Sequence, residues 1–412
     1  MELSSIYDEV IDFTHKGFSD NAQGKSLKKL LEQGESLFDG NHFTPIATLK
    51  ASALKNNVEQ MADYCAKAGF ELAPHVKTHM SPQLAKMQID AGATYLTVAT
   101  LWQARVFLQF GLKSIIIANE VVDFASLREI ATLNKNPLNE IICYVDSISG
   151  AEIIEKVLLE NPSGCLHLLL EIGYPAGRGG IRDLDEVKKI ALRLANTPGA
   201  IIRGVTGFEG ILSGGRTPEG YAEMENFCQR ILNAADLVSE FVQRPEIIIS
   251  AGGSAFFDVV VKVFTQYKSA THKIRRILRS GGYLSFDHGL YGRVSPQSDS
   301  SPSLKPAIEV WGSILTQPEG DFALLNFGKR DVGIDVDNPN PVRVGHDGVI
   351  SACIPKLNDQ HAYLVGKLES AVSLGDWVAC GISHPCTTFD KWRIFPVIDD
   401  NDKVVDYIRT YF

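Results

Sequence analysis

Closely spaced cysteines are missing from this chain. Its seven cysteines, at positions 65, 143, 165, 228, 353, 380 and 386, form an odd, scattered set with no CxxC pair, which argues against a disulfide framework. A reducing cytoplasm is the compartment this usage predicts. An excess of basic residues is missing too. Lys plus Arg number 40 against 49 Asp plus Glu, a formal charge of −9, and no long basic stretch interrupts the mixture. Nucleic acid and anionic membrane are therefore not expected partners. No run of about 18 apolar residues occurs. The start, Met1 to Glu9, carries acids where an export signal needs a basic and then an apolar run. What remains, at 45% hydrophobic and 22% charged among 412 residues, is the composition of a soluble globular chain with room for more than one domain.

From residue 71 to residue 283, short β-rich apolar runs alternate with longer segments of helical period, the pattern of a parallel sheet with crossover helices. The spacing predicts strands at 71–77, 95–99, 114–118, 140–145, 166–172, 201–207, 246–250 and 275–279, with helices such as 82–91, 148–160 and 219–242 between them. Eight such units predict an α/β fold of the (β/α)8 TIM-barrel type. A ninth strand-helix unit, 46–50 followed by 53–68, has no place in an eight-stranded barrel and is assigned to a second domain. After residue 290 a Ser/Pro-rich stretch at 295–303 leads into short alternating runs at 308–315, 322–326, 361–365 and 377–380, which predict an antiparallel β domain. The expected layout is an N-terminal helical segment (1–45) packing with the β domain, a barrel region (46–290) including its preceding strand-helix unit, and a C-terminal β domain (291–412).

Barrel active sites are built at the C-terminal ends of the strands, so polar residues there are read first. The first strand ends in Pro74-His-Val-Lys77-Thr-His79. A lysine at such a strand end is either a surface residue or an amine projecting into the barrel mouth, where partial desolvation would suit it to Schiff-base chemistry with pyridoxal phosphate. The loops after the last two strands are glycine-rich: Ser250-Ala-Gly252-Gly253-Ser254 before an apolar helical run, and Ser280-Gly-Gly-Tyr283. Each is either a tight turn or a backbone cradle for a phosphate. The glycine-rich loop 173–180 carries Arg178, which reads equally as a solvated loop arginine or as the partner of a cofactor ring nitrogen. Farther on, His384 and Cys386 stand two apart, a spacing that on extended backbone turns imidazole and thiolate to one side and suits Zn2+ with open positions left over. Cys380, His361 and Asp331 are further possible ligands, each more simply read as structural.

With these segments in view, the chain resembles the fold-type III pyridoxal-phosphate enzymes of the D-serine dehydratase and D-threonine aldolase group. The resemblance runs from Thr44–Asn57 through Pro74–His79, Gly173–Gly180, Ser250–Ser254 and Gly281–Asp287 to Leu357–His361 and His384–Cys386. It implies an alanine racemase-like barrel with a C-terminal β domain that the N-terminal segment joins. It also implies that Lys77 holds the cofactor, that Arg178 faces its ring nitrogen, and that Gly252, Gly253 and Ser254, with Tyr283 beside the second glycine pair, contact it. His384 and Cys386 are then zinc ligands, and the protein is a homodimer. Two positions depart from the group. Relatives often carry a His-rich segment where this chain has Gly207-Phe208-Glu209-Gly210, and aldolase members typically show His-x-Asp where this chain has His384-Pro-Cys386. Cys386 therefore favours β-elimination of D-3-hydroxy amino acids, D-serine first, over retro-aldol cleavage. Racemisation is a further possibility, but it needs a second base that the sequence does not supply. A cofactor carrier without turnover would have no need of the β domain.

Overall fold

Nearly continuous apolar runs such as Ile115-Ile-Ile117, Leu168-Leu-Leu170 and Ile247-Ile-Ile249 are fully buried, as expected of parallel strands covered on both faces. The computed structural model describes residues 3–210, 215–297 and 303–412. Part of the Ser/Pro-rich stretch at 295–303 lies outside them. Strand β1 is Ile46–Lys50, followed by the helix Ala51–Ala68. The parallel strands come next: β2 (Glu71–Leu72), β3 (Leu96–Val98), β4 (Ser114–Glu120), β5 (Glu140–Val145), β6 (Leu166–Ile172), β7 (Ala200–Gly207), β8 (Glu246–Ala251) and β9 (Lys273–Leu278). They pair in the order β2-β9-β8-β7-β6-β5-β4-β3. The seam between β3 and β2 is carried by a His75–Thr97 bridge and by Thr94 and Thr97 N–H donating to the Leu72 and Pro74 carbonyls at 2.9 and 2.8 Å. The expected eight-strand barrel architecture is present.

Side-chain caps start the crossover helices: Thr100, Asp123, Ser147 and Thr217 each accept a backbone N–H two or three residues into the helix they precede, which satisfies orphan donors there. Ala73, Tyr95, Ile116, Ile142, Tyr144, Leu169, Ile248 and Ile277 fill the barrel interior, each large apolar side chain contributing about 1.5–3 kcal/mol by burial. Toward the N-terminal strand ends, Glu71 pairs with Arg275 at 2.5 Å and Glu140 pairs with Arg203. Polar residues at that end of a barrel serve stability.

The remaining strands are antiparallel: β10 (Ile308–Glu319), β11 (Phe322–Leu325), β12 (Asn340–Val344), β13 (Ser351–Leu357), β14 (Ala362–Lys367), β15 (Trp377–Gly381), β16 (Ile394–Ile398) and β17 (Val404–Arg409). Strand β1 lies in this sheet, antiparallel to β10 and parallel to β16. The odd ninth strand is thus accounted for. Short N-terminal helices, Ser4–Tyr7 and Leu27–Gln33, stand beside a core in which Ile11, Phe18, Leu27 and Leu37 pack with Trp311, Ile394 and Tyr407.

Two compact units result: Met61–Lys77 with Gln88–Gly281, and Met1–Gln60 with Thr78–Met87 and Gly282–Phe412. Among the described residues, no helix is long and apolar enough to cross a membrane.

Candidate active site

Strand β2 is cut to two residues because Pro74 has no N–H to give the ladder. Lys77 therefore sits on a 3-10 turn, Val76–Thr78, and not on the strand that the spacing predicts. It is exposed, so the desolvation expected around its amine is not what the fold provides.

In the barrel unit a cavity of about 160 Å³ is lined by His75, Lys77, Tyr144, Glu171, Arg178 and Arg279, among others. Arg178 is exposed and its guanidinium lies 5.3 Å from the centre of the Phe208 ring. Arg279 was not singled out from the sequence, where it reads as the last residue of a strand. It is 2% exposed and donates to Ser250 Oγ at 2.6 Å, Gly207 O at 2.7 Å and Thr206 Oγ1 at 2.8 Å. Its Nε is buried without a partner among the described residues. Burial, followed by the charges of Arg279, Lys77 and Arg178, pushes His75 well below its ordinary value, so this imidazole is neutral. His75 Nδ1 is likewise buried and unpartnered among the described residues.

A pair of acids stands at the same end. Glu120 is pushed up to about 8, first by burial and then by its hydrogen bond to Glu171 and the charges of Glu171 and Asp146. Sequence reading assigned a role to neither residue, since each stands at or near the end of an apolar strand.

The glycine-rich turn after β8 is engaged by a side chain. Gly252 N–H donates to Glu209 Oε2 at 3.1 Å, and Gly253 N–H donates to Glu209 Oε1. Gly252 has φ +101°, and a Cβ there would lie 2.6 Å from Leu278, so only glycine suits the position. These two amides select an anion, as a phosphate cradle would, but the anion they hold is a carboxylate of this chain. Ser254 follows in the same turn. At Gly281 a Cβ would stand 2.5 Å from the His75 carbonyl, which keeps the strand ends close-packed beside the cavity. The Lys77 amine and the orphaned Arg279 nitrogen, lining one cavity, fit a carbonyl cofactor.

Tyr283, His384 and Cys386 belong to the other unit, where Tyr283 is 2% exposed. Pro385 is in the right-handed helical region (φ −76°, ψ −26°) and Cys386 opens the helix Cys386–Phe389. The extended His-x-Cys arrangement expected from the spacing is thus replaced by a turn, because proline presets φ for a helix start. The two side chains still meet. The neighbouring Cys386 sulfur and the Asp335 carboxylate push His384 up to about 9 against the effect of burial. His384 Nδ1 lies 2.5 Å from Asp335 Oδ2. Thr78, next in the chain after Lys77, places its Oγ1 3.4 Å from Cys386 Sγ.

An imidazole and a thiol in contact are a donor set for a borderline metal such as zinc. Among the described residues, no group of three or more His, Cys, Asp or Glu is placed to hold a metal ion. Of the other possible ligands, Asp331 pairs with Lys16 at 2.8 Å, Cys380 is buried in β15 with its thiol pushed up by burial, and His361 is exposed.

Residues 49–260 match the alanine racemase N-terminal domain family and residues 307–398 match the serine dehydratase domain family. The chain is 25% identical over 360 residues to a D-threonine aldolase of Arthrobacter sp., covering 87% of this chain and 89% of that protein. It is similar to the crystal structure of D-threonine aldolase from Filomicrobium marinum (TM-score 0.77, 22% identity, 90% of this chain and 95% of that one). It is also similar to D-threo-3-hydroxyaspartate dehydratase from Delftia sp. HT23 (TM-score 0.70, 20% identity, 90% and 97%). The chain belongs to the alanine racemase N-terminal domain family, in the branch of the fold-type III pyridoxal-phosphate enzymes that carries a serine dehydratase domain.

Proposed function

We propose that this protein is a pyridoxal-phosphate- and zinc-dependent lyase that deaminates D-3-hydroxy amino acids, D-serine foremost, to a 2-oxo acid and ammonia. The observation that carries the reading is the cavity shared by Lys77, Arg178 and Arg279 in a chain of this family.

Lys77 would hold the cofactor through its amine, and the cofactor supplies an electron sink for the bond broken at the α-carbon. The Lys77 amine would serve as the base for the α-proton. Arg178 or Arg279, which line the same cavity, would disfavour protonation of a cofactor ring nitrogen, since a second cation beside a guanidinium is costly. Arg279 is fixed by three hydrogen bonds, whereas Arg178 rests on an exposed glycine-rich loop. His384 and Cys386 would hold zinc, whose Lewis acidity at a β-oxygen is what the departure of hydroxide requires. Asp335 orients His384 for that task. The protein is proposed to work as a homodimer in a reducing cytoplasm, in keeping with seven free thiols.

Retro-aldol cleavage is the second reading. It is favoured by the naming of the Arthrobacter and Filomicrobium relatives as aldolases, while Cys386 in place of the aspartate typical of aldolases favours elimination. Product analysis separates the two. The loaded protein, incubated with D-serine and with D-threonine, should give pyruvate and 2-oxobutyrate with ammonia, and both should disappear on chelation. Glycine and acetaldehyde from D-threonine would establish the aldolase instead, and no product from either substrate would overturn both readings.

A further inference from the structure

In the unit that holds the antiparallel sheet, another cavity of about 160 Å³ is lined by Thr14, His15, Lys16, Phe18, Lys391 and Arg393, among others. One water needs about 10–15 Å³, so an ion of several heavy atoms has room there. Three of the lining side chains are cations, a fourth is an imidazole, and none is an acid.

Two segments build the wall. Trp392 is 2% exposed and gives its indole N–H to the Asp331 carbonyl at 2.8 Å, so its neighbours Lys391 and Arg393, half-buried and exposed, flank a fixed ring as the chain enters β16. From the N-terminal segment, the Lys16 amine lies 3.6 Å from the centre of that ring and 2.8 Å from Asp331 Oδ1, a cation–π contact joined to an ion pair. The acids around these residues are engaged. Asp331 serves Lys16, Glu9 serves His15 and Arg409 at 3.1 and 2.8 Å, and Asp12 accepts from the Thr14 hydroxyl at 2.6 Å and stands 2.9 Å from His15 Nδ1. Among the described residues, Lys391 and Arg393 have no carboxylate within ion-pair distance. The charge of Lys391 also reaches Lys16: burial lowers that amine, Asp331 opposes the effect, and Lys391 lowers it further. In a chain of net charge −9, cations are thus gathered at one cavity, where they repel one another and a bound anion relieves the repulsion.

We propose that this cavity is an anion site, separate from the cavity around Lys77, and that it takes a small oxyanion carrying two negative charges, either a phosphoryl group or a compact dicarboxylate. Arg393 supplies a planar fork that matches two oxygens of such a group, and Lys391 supplies a point charge beside it. Arg393 Nη1 donates to Thr14 Oγ1 at 3.4 Å, which holds the guanidinium at the cavity and leaves its other donors for the ligand. Lys16, already committed to Asp331 and the Trp392 ring, forms the rigid side of the site. The proposal is independent of the cofactor reading.

The test is isothermal titration calorimetry of the full chain at low ionic strength, with inorganic phosphate and malonate as probes, each with and without pyridoxal 5′-phosphate present. Wild type should bind at least one probe, one ion per chain, whether or not pyridoxal 5′-phosphate is present. Arg393→Gln and Lys391→Gln should each weaken that binding at least about tenfold, the effect of losing one charge-assisted hydrogen bond. Lys391→Arg, which keeps the charge, should stay within about threefold of wild type. Phosphate binding alone assigns a phosphoryl ligand and malonate binding alone a dicarboxylate, and either upholds the site. A wild type that binds neither probe overturns the proposal. So does binding that both glutamine variants retain, or that pyridoxal 5′-phosphate abolishes, since the anion then sits elsewhere.

Discussion

Asp335 holds His384 from one side: Oδ2 stands 2.5 Å from Nδ1, and Oδ1 accepts from the Thr387 hydroxyl at 2.7 Å. A carboxylate anchored in this way fixes the ring with a proton on Nδ1, which leaves Nε2 as the lone-pair donor for a metal. Asp335→Ala should therefore lower zinc affinity by about 10- to 100-fold, the usual effect of removing such a partner. Competition with a chromophoric chelator measures it, and cobalt-substituted protein should show a weakened thiolate charge-transfer band. Unchanged affinity in the variant would mean that Asp335 orients nothing the metal uses.

Lys77 is exposed on its 3-10 turn, so its removal should leave stability within about 0.5 kcal/mol, the usual range for surface substitutions. Function should respond very differently. Borohydride reduction of the loaded wild type should leave a stable adduct on the peptide containing Lys77, found by mass spectrometry, and Lys77→Ala should lose both adduct and turnover. Substantial turnover in Lys77→Ala would remove Lys77 from the chemistry.

These two residues were visible in the sequence because their surroundings are local. A lysine between Pro74-His-Val and Thr-His79, or a histidine two from a cysteine, needs no knowledge of distant chain to be noticed. Strands β1, β5 and β6 were also readable to the residue, since their apolar runs are bounded by polar or helix-starting segments. What escaped was set by distant partners. Arg279 gains its meaning from Thr206, Gly207 and Ser250 on neighbouring strands. Glu209 gains its meaning from Gly252 and Gly253, more than 40 residues away. The shape of the His384–Cys386 segment was misread for the opposite reason: a period-two pattern was applied across Pro385, whose backbone is helical.

Arg279 offers a test of the barrel mouth itself. Its guanidinium supplies three hydrogen bonds to groups that are otherwise buried, and charged hydrogen bonds are worth about 1.5–3 kcal/mol each without adding in full. Arg279→Leu should cost about 3 kcal/mol or more because Thr206 and Ser250 lose a donor inside the barrel. Urea unfolding should show a lower midpoint with an unchanged slope. A loss below about 1 kcal/mol would mean that the three bonds are replaced by water or by rearrangement.

The Glu120–Glu171 pair gives the fold a dependence on pH. Burial and the neighbouring Glu171 push Glu120 up to about 8, above the ordinary glutamate value of about 4.3. The folded state thus holds its proton more tightly than the unfolded chain does. The associated stability is fully present below about pH 4.3 and is lost as the pH rises through about 8, because each step upward asks two facing carboxylates to share one buried place. Glu120→Gln keeps the hydrogen bond to Glu171 and removes the second charge. Its melting temperature should fall less than that of the wild type between about pH 6 and about pH 9, with the two curves diverging as Glu120 of the wild type ionises. Parallel curves across that range would mean that Glu120 is already ionised near neutrality and that solvent or a cation relieves the repulsion.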